Sequence, residues 1–412
     1  MSPVVTGLGV IAPSGIGVGD FWPAVRDGHV ALGPVSRFEP NPYPVVVTGE
    51  VSEFEPEGWI DPRITVQTDR FTHFALAAAG MALRDAELDP RTVPPFEFGV
   101  VTASYSGGVE FGQREIERLW KDGPEHVGPY QSIAWFYAAC TGQISIGNGL
   151  RGPSGVLVAD EAGGLDAIAA AAGELRRGAK AMLVGGAEAP FCPYSMCCQL
   201  GLGLLSTGED PTTAYLPFSY RANGFTPAEG GAMLVVEDEE AARARGVDVR
   251  AVVAGHCATY TGTQRFDRSA EGLLRAAEGA LAEAGVDAAD VDVVFLDALA
   301  DRRADAAEAE AVRRLFGDRA DRVPATAPKA GYGRCYSGAA VLDVATAVLA
   351  IEHGTVPPTP GVRDCRFDLD LDLVTGAARA ADIRTALVLS RGQHGGNSAL
   401  VLRRPEPIQG GN

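Results

Sequence analysis

The sequence predicts an α/β fold, and three observations carry that prediction. Apolar strands alternate with Ala-rich helices, the helices close on glycines, and the two halves of the chain open on similar strands. Strands joined by helical crossovers build mainly parallel sheets. In chain order, residues 4–10 form the first strand. Residues 107–120 (GGVEFGQREIERLW) read as a helix that starts after its two glycines. Residues 155–159 form a short apolar strand, Gly163 and Gly164 break it, and residues 165–177 (LDAIAAAAGELRR) follow as an amphipathic helix with Gly178 at its end. Residues 179–186 (AKAMLVGG) return as a strand. The charged segment 237–245 reads as a helix leading to a junction near residue 248, and residues 249–255 open the second half as residues 4–10 open the first. Residues 338–354 form a second Ala-rich helix closed by glycine. It enters Thr355-Val356-Pro357-Pro358-Thr359, whose prolines cannot donate to a ladder, so this stretch cannot pair as an interior strand. The expected division is residues 1–248 and 249–412.

Composition narrows the function. With 412 residues, 46% of them hydrophobic, the chain can bury one large core or two fused ones. It contains no run of about 18 uncharged apolar residues, and its first residues lead directly into a strand. A cytoplasmic protein without signal peptide or membrane span is expected. The seven cysteines (140, 192, 197, 198, 257, 335 and 365) include no CxxC pair and read as free thiols of a reducing compartment. Adjacent Cys197 and Cys198 are poorly spaced for a metal, so neither metal nor cofactor is expected. A formal charge of −18 repels phosphate backbones and argues against nucleic acid. An acidic carrier protein would likewise not dock on such a surface by charge alone.

The chemistry concentrates in residues 155–166 (GVLVADEAGGLD). A strand-to-helix elbow aims backbone N–H groups and a helix dipole at one point, which suits an oxyanion or a thiolate of lowered pKa. The side chain at the elbow is Glu161, and a carboxylate there would oppose the charge that develops in acyl transfer. This elbow resembles that of the ketosynthase family, in which a cysteine stands at the position of Glu161. More specifically, AD-x-AGGLDA resembles the chain-length factor, the ketosynthase beta subunit of bacterial type II polyketide synthases, most of which carry glutamine there. The resemblance continues in residues 4–32, in Pro217-Phe218 followed by Arg221-Ala222-Asn223-Gly224-Phe225, and in Glu229-Gly230-Gly231-Ala232.

Active ketosynthases use two further histidines. The motif of the first aligns with residues 297–303, where Leu299 replaces it and the later acidic residue of the motif survives as Glu310. The motif of the second aligns with residues 329–334, where Arg334 replaces it, and the Phe-containing glycine loop becomes Gly392-Gln393-His394-Gly395-Gly396. Leucine transfers no protons, and arginine, with a pKa above ~12, is no base. The three vacated positions, Glu161, Leu299 and Arg334, imply a subunit that does not condense. The resemblance also implies the thiolase-like fold, with duplicated βαβ-rich halves in a five-layer αβαβα sandwich. It implies a heterodimer with a ketosynthase alpha subunit. The poly-β-keto chain, delivered by an acyl carrier protein, then extends from the partner's cysteine into an interface tunnel whose far end this subunit lines. In the family the helix at 107–120 borders that tunnel. Val109, Gly112 and Ile116 fall on one of its faces, and their modest volumes predict a longer product than aromatic residues would allow. Trp135, Phe136 and Tyr137 lie where the family places its dimer contact, although such a cluster reads equally well as core.

Several residues carry a second reading. Glu161 is either a carboxylate that satisfies N–H groups at the helix start or a group that promotes decarboxylation of malonyl-carrier protein to the acetyl starter. The second role requires burial to keep it protonated, since an ionised carboxylate cannot donate a hydrogen bond. Arg334 is placed to pair with Glu161, and Lys329 keeps its family position as a buried ion-pairing group. His73, His256 and His394 read as structural. An autonomous condensing enzyme would need Glu161, or a displaced thiol such as Cys140 or Cys335, to carry the chemistry. A homodimeric binding protein is the third possibility.

Overall fold

In the computed structural model, which describes residues 2–263 and 266–406, the strands form one continuous path with a repeated internal order. The first half contributes Pro3–Ala12 (β1), Phe98–Ser104 (β2), Ser154–Val158 (β3), Ala181–Glu188 (β4) and Gly230–Asp238 (β5), arranged β1-β5-β4-β2-β3. The second contributes Ala251–Tyr260 (β6), Val293–Phe295 (β7), Pro324–Thr326 (β8), Asp372–Leu373 (β9), Thr385–Arg391 (β10) and Gly396–Arg403 (β11), arranged β6-β11-β10-β7-β8-β9. Apart from the added edge strand β9, the two successions match position for position. They join where Val4 and Val5 of β1 pair antiparallel with Val252 and Ala251 of β6.

The sheet is mixed rather than mainly parallel. Strands β2, β3 and β4 run parallel, as do β7, β8 and β10. The strand that closes each half, β5 or β11, inserts between the parallel group and the first strand and runs against both. β11 returns from β10 through a short Gly-containing turn, which permits only antiparallel pairing. As expected, Thr355–Val356 lies outside this sheet, paired only with Arg379–Ala380.

The helices that build the layers and the site include Arg70–Asp85 (α1), Val109–Asp122 (α2), Ala139–Asn148 (α3), Gly163–Arg176 (α4), Pro193–Leu200 (α5), Glu271–Ala284 (α6), Arg302–Phe316 (α7) and Ser337–His353 (α8). α4 and α8 pack together between the two halves of the sheet. Leu165, Ile168, Val341 and Val348 meet Val184, Leu234, Val388 and Leu400 in one core. α1 and α3 cover the outer face of the first half, and α6 and α7 that of the second. The order is therefore α-β-α-β-α. α8 is buried from Ser337 through Ile351, which explains a helix that is apolar on every side. Its alanines, and those of α4, let two helices fit between two sheet faces.

Gly164 marks the closest approach of these central helices. A Cβ there would lie 2.6 Å from the Ser337 carbonyl oxygen and 3.0 Å from Val341 Cγ2. Gly164→Ala is expected to destabilise the protein by about 1–3 kcal/mol through overpacking, read as a lowered urea midpoint at unchanged slope.

Candidate functional site

β3 ends at Val158 and α4 begins at Gly163, so Glu161 lies in the turn between them. Its side chain is 1% exposed. Oε1 accepts a hydrogen bond from Gln393 Nε2 at 3.1 Å and lies 3.7 Å from Arg334 Nε. Oε2 and Arg334 Nε are both buried without a hydrogen-bond partner. Helix α4 starts without a side-chain cap, so the expected service of Glu161 to helical N–H groups is not what the fold builds. Its side-chain contacts reach across the molecule to Gln393 and Arg334 instead. Burial pushes the Glu161 carboxyl above the usual range, and the nearby Arg334 only partly opposes this.

The rest of the former pocket is filled. Gln393 Nε2 donates to Tyr105 Oη at 3.0 Å, and the Tyr105 ring stacks on Tyr336 at 4.8 Å. Tyr336 meets Phe225 edge-on and hydrogen-bonds Gln199, while Leu299 is fully buried in the same cluster. Glu188, which the sequence reading missed, ties this wall to the centre. It accepts from the Tyr105 backbone N–H at 2.5 Å, from Ser106 Oγ at 2.8 Å and from Ser337 Oγ at 2.7 Å.

Arg334 has a stronger partner than Glu161. Its Nη2 donates to Asp297 Oδ1 at 2.8 Å, and its Nη1 to the Asp297 carbonyl at 2.8 Å. Asp297 also accepts from the backbone N–H of Arg391 at 2.9 Å and faces Arg391 Nε at 3.3 Å. Lys329 Nζ donates to the Asp297 carbonyl at 3.2 Å and lies 2.5 Å from Asp343 Oδ2, and Arg391 Nη2 donates to Glu308 at 3.2 Å. Every one of these side chains is at most 1% exposed. Burial alone would raise the pKa of Asp297, but Arg334, Arg391 and Lys329 outweigh it and hold the group at about 2. Burial pushes Asp343 up to about 6, with Lys329 opposing. Burial likewise pushes Asp305 up to about 8, its two backbone donors opposing and Glu308 adding to the rise.

The buried acid of α7 is Glu308, not Glu310. Glu308 accepts the backbone N–H groups of Asp297 at 2.7 Å and Ala298 at 3.0 Å, whereas Glu310 is half-exposed and pairs with Arg313. Two residues along a helix turn a side chain by roughly 200°, so only one of the two can face inward. Asp305, three residues before Glu308, shares its face and accepts from the N–H groups of Ala300 at 3.0 Å and Phe218 at 2.8 Å. These carboxylates hold a loop in which Ala298 and Ala300 adopt φ of 56° and 59°.

The histidines stand apart from this cluster. His256 Nε2 contacts Asp166 Oδ1 at 3.0 Å and Ser398 Oγ at 2.9 Å. His73 Nε2 contacts Thr68 Oγ1 at 3.1 Å, and burial lowers its pKa to about 4. His394 is exposed, and only its backbone N–H is fixed, to Asp160 at 3.1 Å. Cys140 and Cys335 are buried, and burial drives both thiols upward, away from the thiolate form.

A second region lies at the surface, around α2. Val109 is half-buried, Gly112 is buried with its Cα face toward Trp135, and Ile116 is 44% exposed. Ile133, Trp135 and Phe136 are also exposed, as is Val158 on strand β3, which among the described residues pairs only with β2 and stands at the edge of the sheet. Helix α2 leans on the segment 128–137 through Glu115, which bonds the N–H of Gly128, and through Gly108 N–H to the Trp135 carbonyl at 3.1 Å.

A strand-to-helix elbow of this build, inside duplicated halves stacked as α-β-α-β-α, defines a ketosynthase fold. The chain belongs to the beta-ketoacyl synthase family: its N-terminal domain matches residues 2–242 and its C-terminal domain residues 250–363. Within the family it groups with the ketosynthase beta subunits of type II polyketide synthases. It is 59% identical to a polyketide beta-ketoacyl synthase 2 of Streptomyces coelicolor, over 97% of this chain and 94% of that one. It is 49% identical to the tetracenomycin polyketide synthase ketoacyl synthase beta subunit of Streptomyces glaucescens, over 97% and 98% of the two chains. The ishigamide ketosynthase/chain length factor superposes with a TM-score of 0.92 at 26% identity, covering 98% of this chain and 99% of that one.

Two stability effects follow from the buried charges. Asp297→Ala leaves Arg334 and Arg391 short of a counter-charge and is expected to cost about 3–5 kcal/mol, measured by thermal or urea unfolding. Glu161→Gln has the opposite sign. A carboxyl whose pKa is raised in the folded state destabilises the protein progressively as pH rises above the unfolded value of 4.5. Glu161→Gln is therefore expected to leave stability unchanged near pH 4 and to raise it by about 1–2 kcal/mol near pH 8, read from unfolding midpoints across that range.

Proposed function

We propose that this chain is the non-condensing beta subunit of a type II polyketide synthase ketosynthase heterodimer, and that it lines the elongation tunnel and sets polyketide chain length. The observation that carries the reading is the closed former active site. Glu161, Leu299 and Arg334 occupy the nucleophile and histidine positions, all are buried, and the last is locked to Asp297. Chemistry must then come from a partner, the ketosynthase alpha subunit, which holds the growing chain delivered by an acyl carrier protein.

The surface supports the same reading. An acidic chain that exposes Ile116, Ile133, Trp135, Phe136 and Val158 in neighbouring elements presents an apolar face that includes an edge strand, the composition of a protein interface. Val109, Gly112 and Ile116 share α2 in that region and carry the proposed role of chain-length wall. Among the described residues no helix is long and apolar enough to cross a membrane, and all seven cysteines are free, in keeping with a cytoplasmic site of action. Decarboxylation at Glu161 would require malonyl thioester to reach a carboxyl that is 1% exposed behind Tyr105, Tyr336 and Gln393.

Co-expression with a ketosynthase alpha subunit is expected to give a 1:1 complex by size exclusion. In that complex Val109→Phe is expected to shorten the main polyketide by one or more ketide units, read by mass spectrometry; unchanged length would overturn the wall assignment. Trp135→Ala is expected to weaken assembly by at least about 30-fold, measured by titration calorimetry or dilution-dependent dissociation.

A further inference from the structure

Helix α2 has an unusual beginning. Its N-cap position, Gly108, offers no side chain to the first N–H groups. It cannot acquire one either, because a Cβ at Gly108 would fall 2.0 Å from the Ala134 carbonyl oxygen and 2.8 Å from Asp69 Cβ. The cap comes from elsewhere in the chain. Asp69 Oδ2 accepts the N–H of Phe111, the third residue of α2, at 2.7 Å. The same carboxyl is the N-cap of α1, where Oδ1 accepts the N–H of Phe71 at 3.2 Å. One buried side chain, 1% exposed, thus caps both its own helix and a second one, through Phe111, 42 residues along the chain. The bond to the N–H of the third helical residue is the one a local cap would make.

The two helices differ in what holds them. α1 packs on β1 and β5 with a continuous row of buried residues from Phe71 to Leu83. α2 buries only Gly112 and Glu115 along its length. Its other anchors are peripheral: Arg37 to Glu110 at 2.7 Å, and the Tyr194 N–H to Gln113 at 2.7 Å. The buried cap bonds Phe111, two residues after Val109 in the same first turn, while the Val109 carbonyl is contacted by Cys192 Sγ at 3.6 Å.

From this geometry we infer that Asp69 is a positioning residue for chain-length control, a shared cap that fixes the first turn of α2, and with it Val109 and Gly112, to the rigid helix α1. The inference rests on α2 being a wall of the tunnel. Without the cap the first turn frays, the wall yields, and products spread toward greater length.

The test uses the reconstituted heterodimer and product-length distributions. Asp69→Ala is expected to raise the fraction of over-length polyketides roughly five-fold, and Asp69→Asn, which keeps an acceptor for Phe111, to fall between it and the parent. Asp238→Ala removes the cap of the remote helix Glu239–Ala244 and controls for general destabilisation; it lowers yield without changing length. Val109→Phe is run beside them. If it shortens the product while Asp69→Ala leaves the distribution unchanged, the positioning role is overturned and the tunnel wall stands. If neither variant alters length, the wall assignment itself fails, and the positioning role with it. Should Asp69→Ala not assemble, hydrogen exchange of residues 109–113 in the Asp69→Asn complex decides: a several-fold rise supports the shared cap, and parental protection overturns it.

Discussion

Asp297 is fully buried, its carboxylate held by Arg334 and Arg391 and its backbone carbonyl accepting from Lys329, and much of the second half of the fold is arranged around it. Moving such ions out of water costs several kcal/mol each, recovered only when every charge has a close partner and every remaining polar atom is bonded. The cluster meets most of that demand, Arg334 Nε being left unbonded, by drawing residues from several elements: Asp297 after β7, Glu308 from α7, Lys329 and Arg334 before α8, and Arg391 at the end of β10. Each element is therefore held in register by the others. The strained turns at Ala298 and Ala300 persist because Glu308 and Asp305 hold the neighbouring N–H groups.

Arg334 carries a permanent charge that must be neutralised, and Asp297 neutralises it. Glu161 is left as the weaker partner, close enough to feel Arg334 but not bonded to it, and its burial favours the protonated form. Tyr105, Tyr336, Phe225 and Leu299 occupy the remaining space. A site filled in this way holds the shape of the elbow.

What the interior loses, the surface takes up. α2, the segment around Trp135 and the edge strand β3 all carry exposed apolar side chains. Their apolar side chains stand out against a surface that is otherwise strongly acidic. A face of that kind is completed by association, and because α2 is fixed at one end by a buried carboxylate, its shape can be carried into the complex.

The alternation of strands and helices, the glycine-marked elbow and the Ala-rich helix that became α8 were legible in the sequence alone. These are local facts, set by periodicity, by backbone freedom at Gly163 and Gly164, and by residue identity. It also showed that Lys329 and Arg334 sit in one short segment. Only the tertiary structure decided which charges meet. Glu310 and Glu308 look equivalent in a motif, but helical rotation sends one to solvent and the other to Arg391. Arg334 has a nearer claim on Asp297 than on Glu161, a contact across 37 positions with no local signal. The strand that closes the second half runs antiparallel because it returns from β10 through a short turn, whereas in the first half β5 follows β4 only after α5 and a long connection, and periodicity carries no information about strand direction. The double cap at Asp69 has the same character, since its second helix begins 40 residues away and is brought there by packing alone.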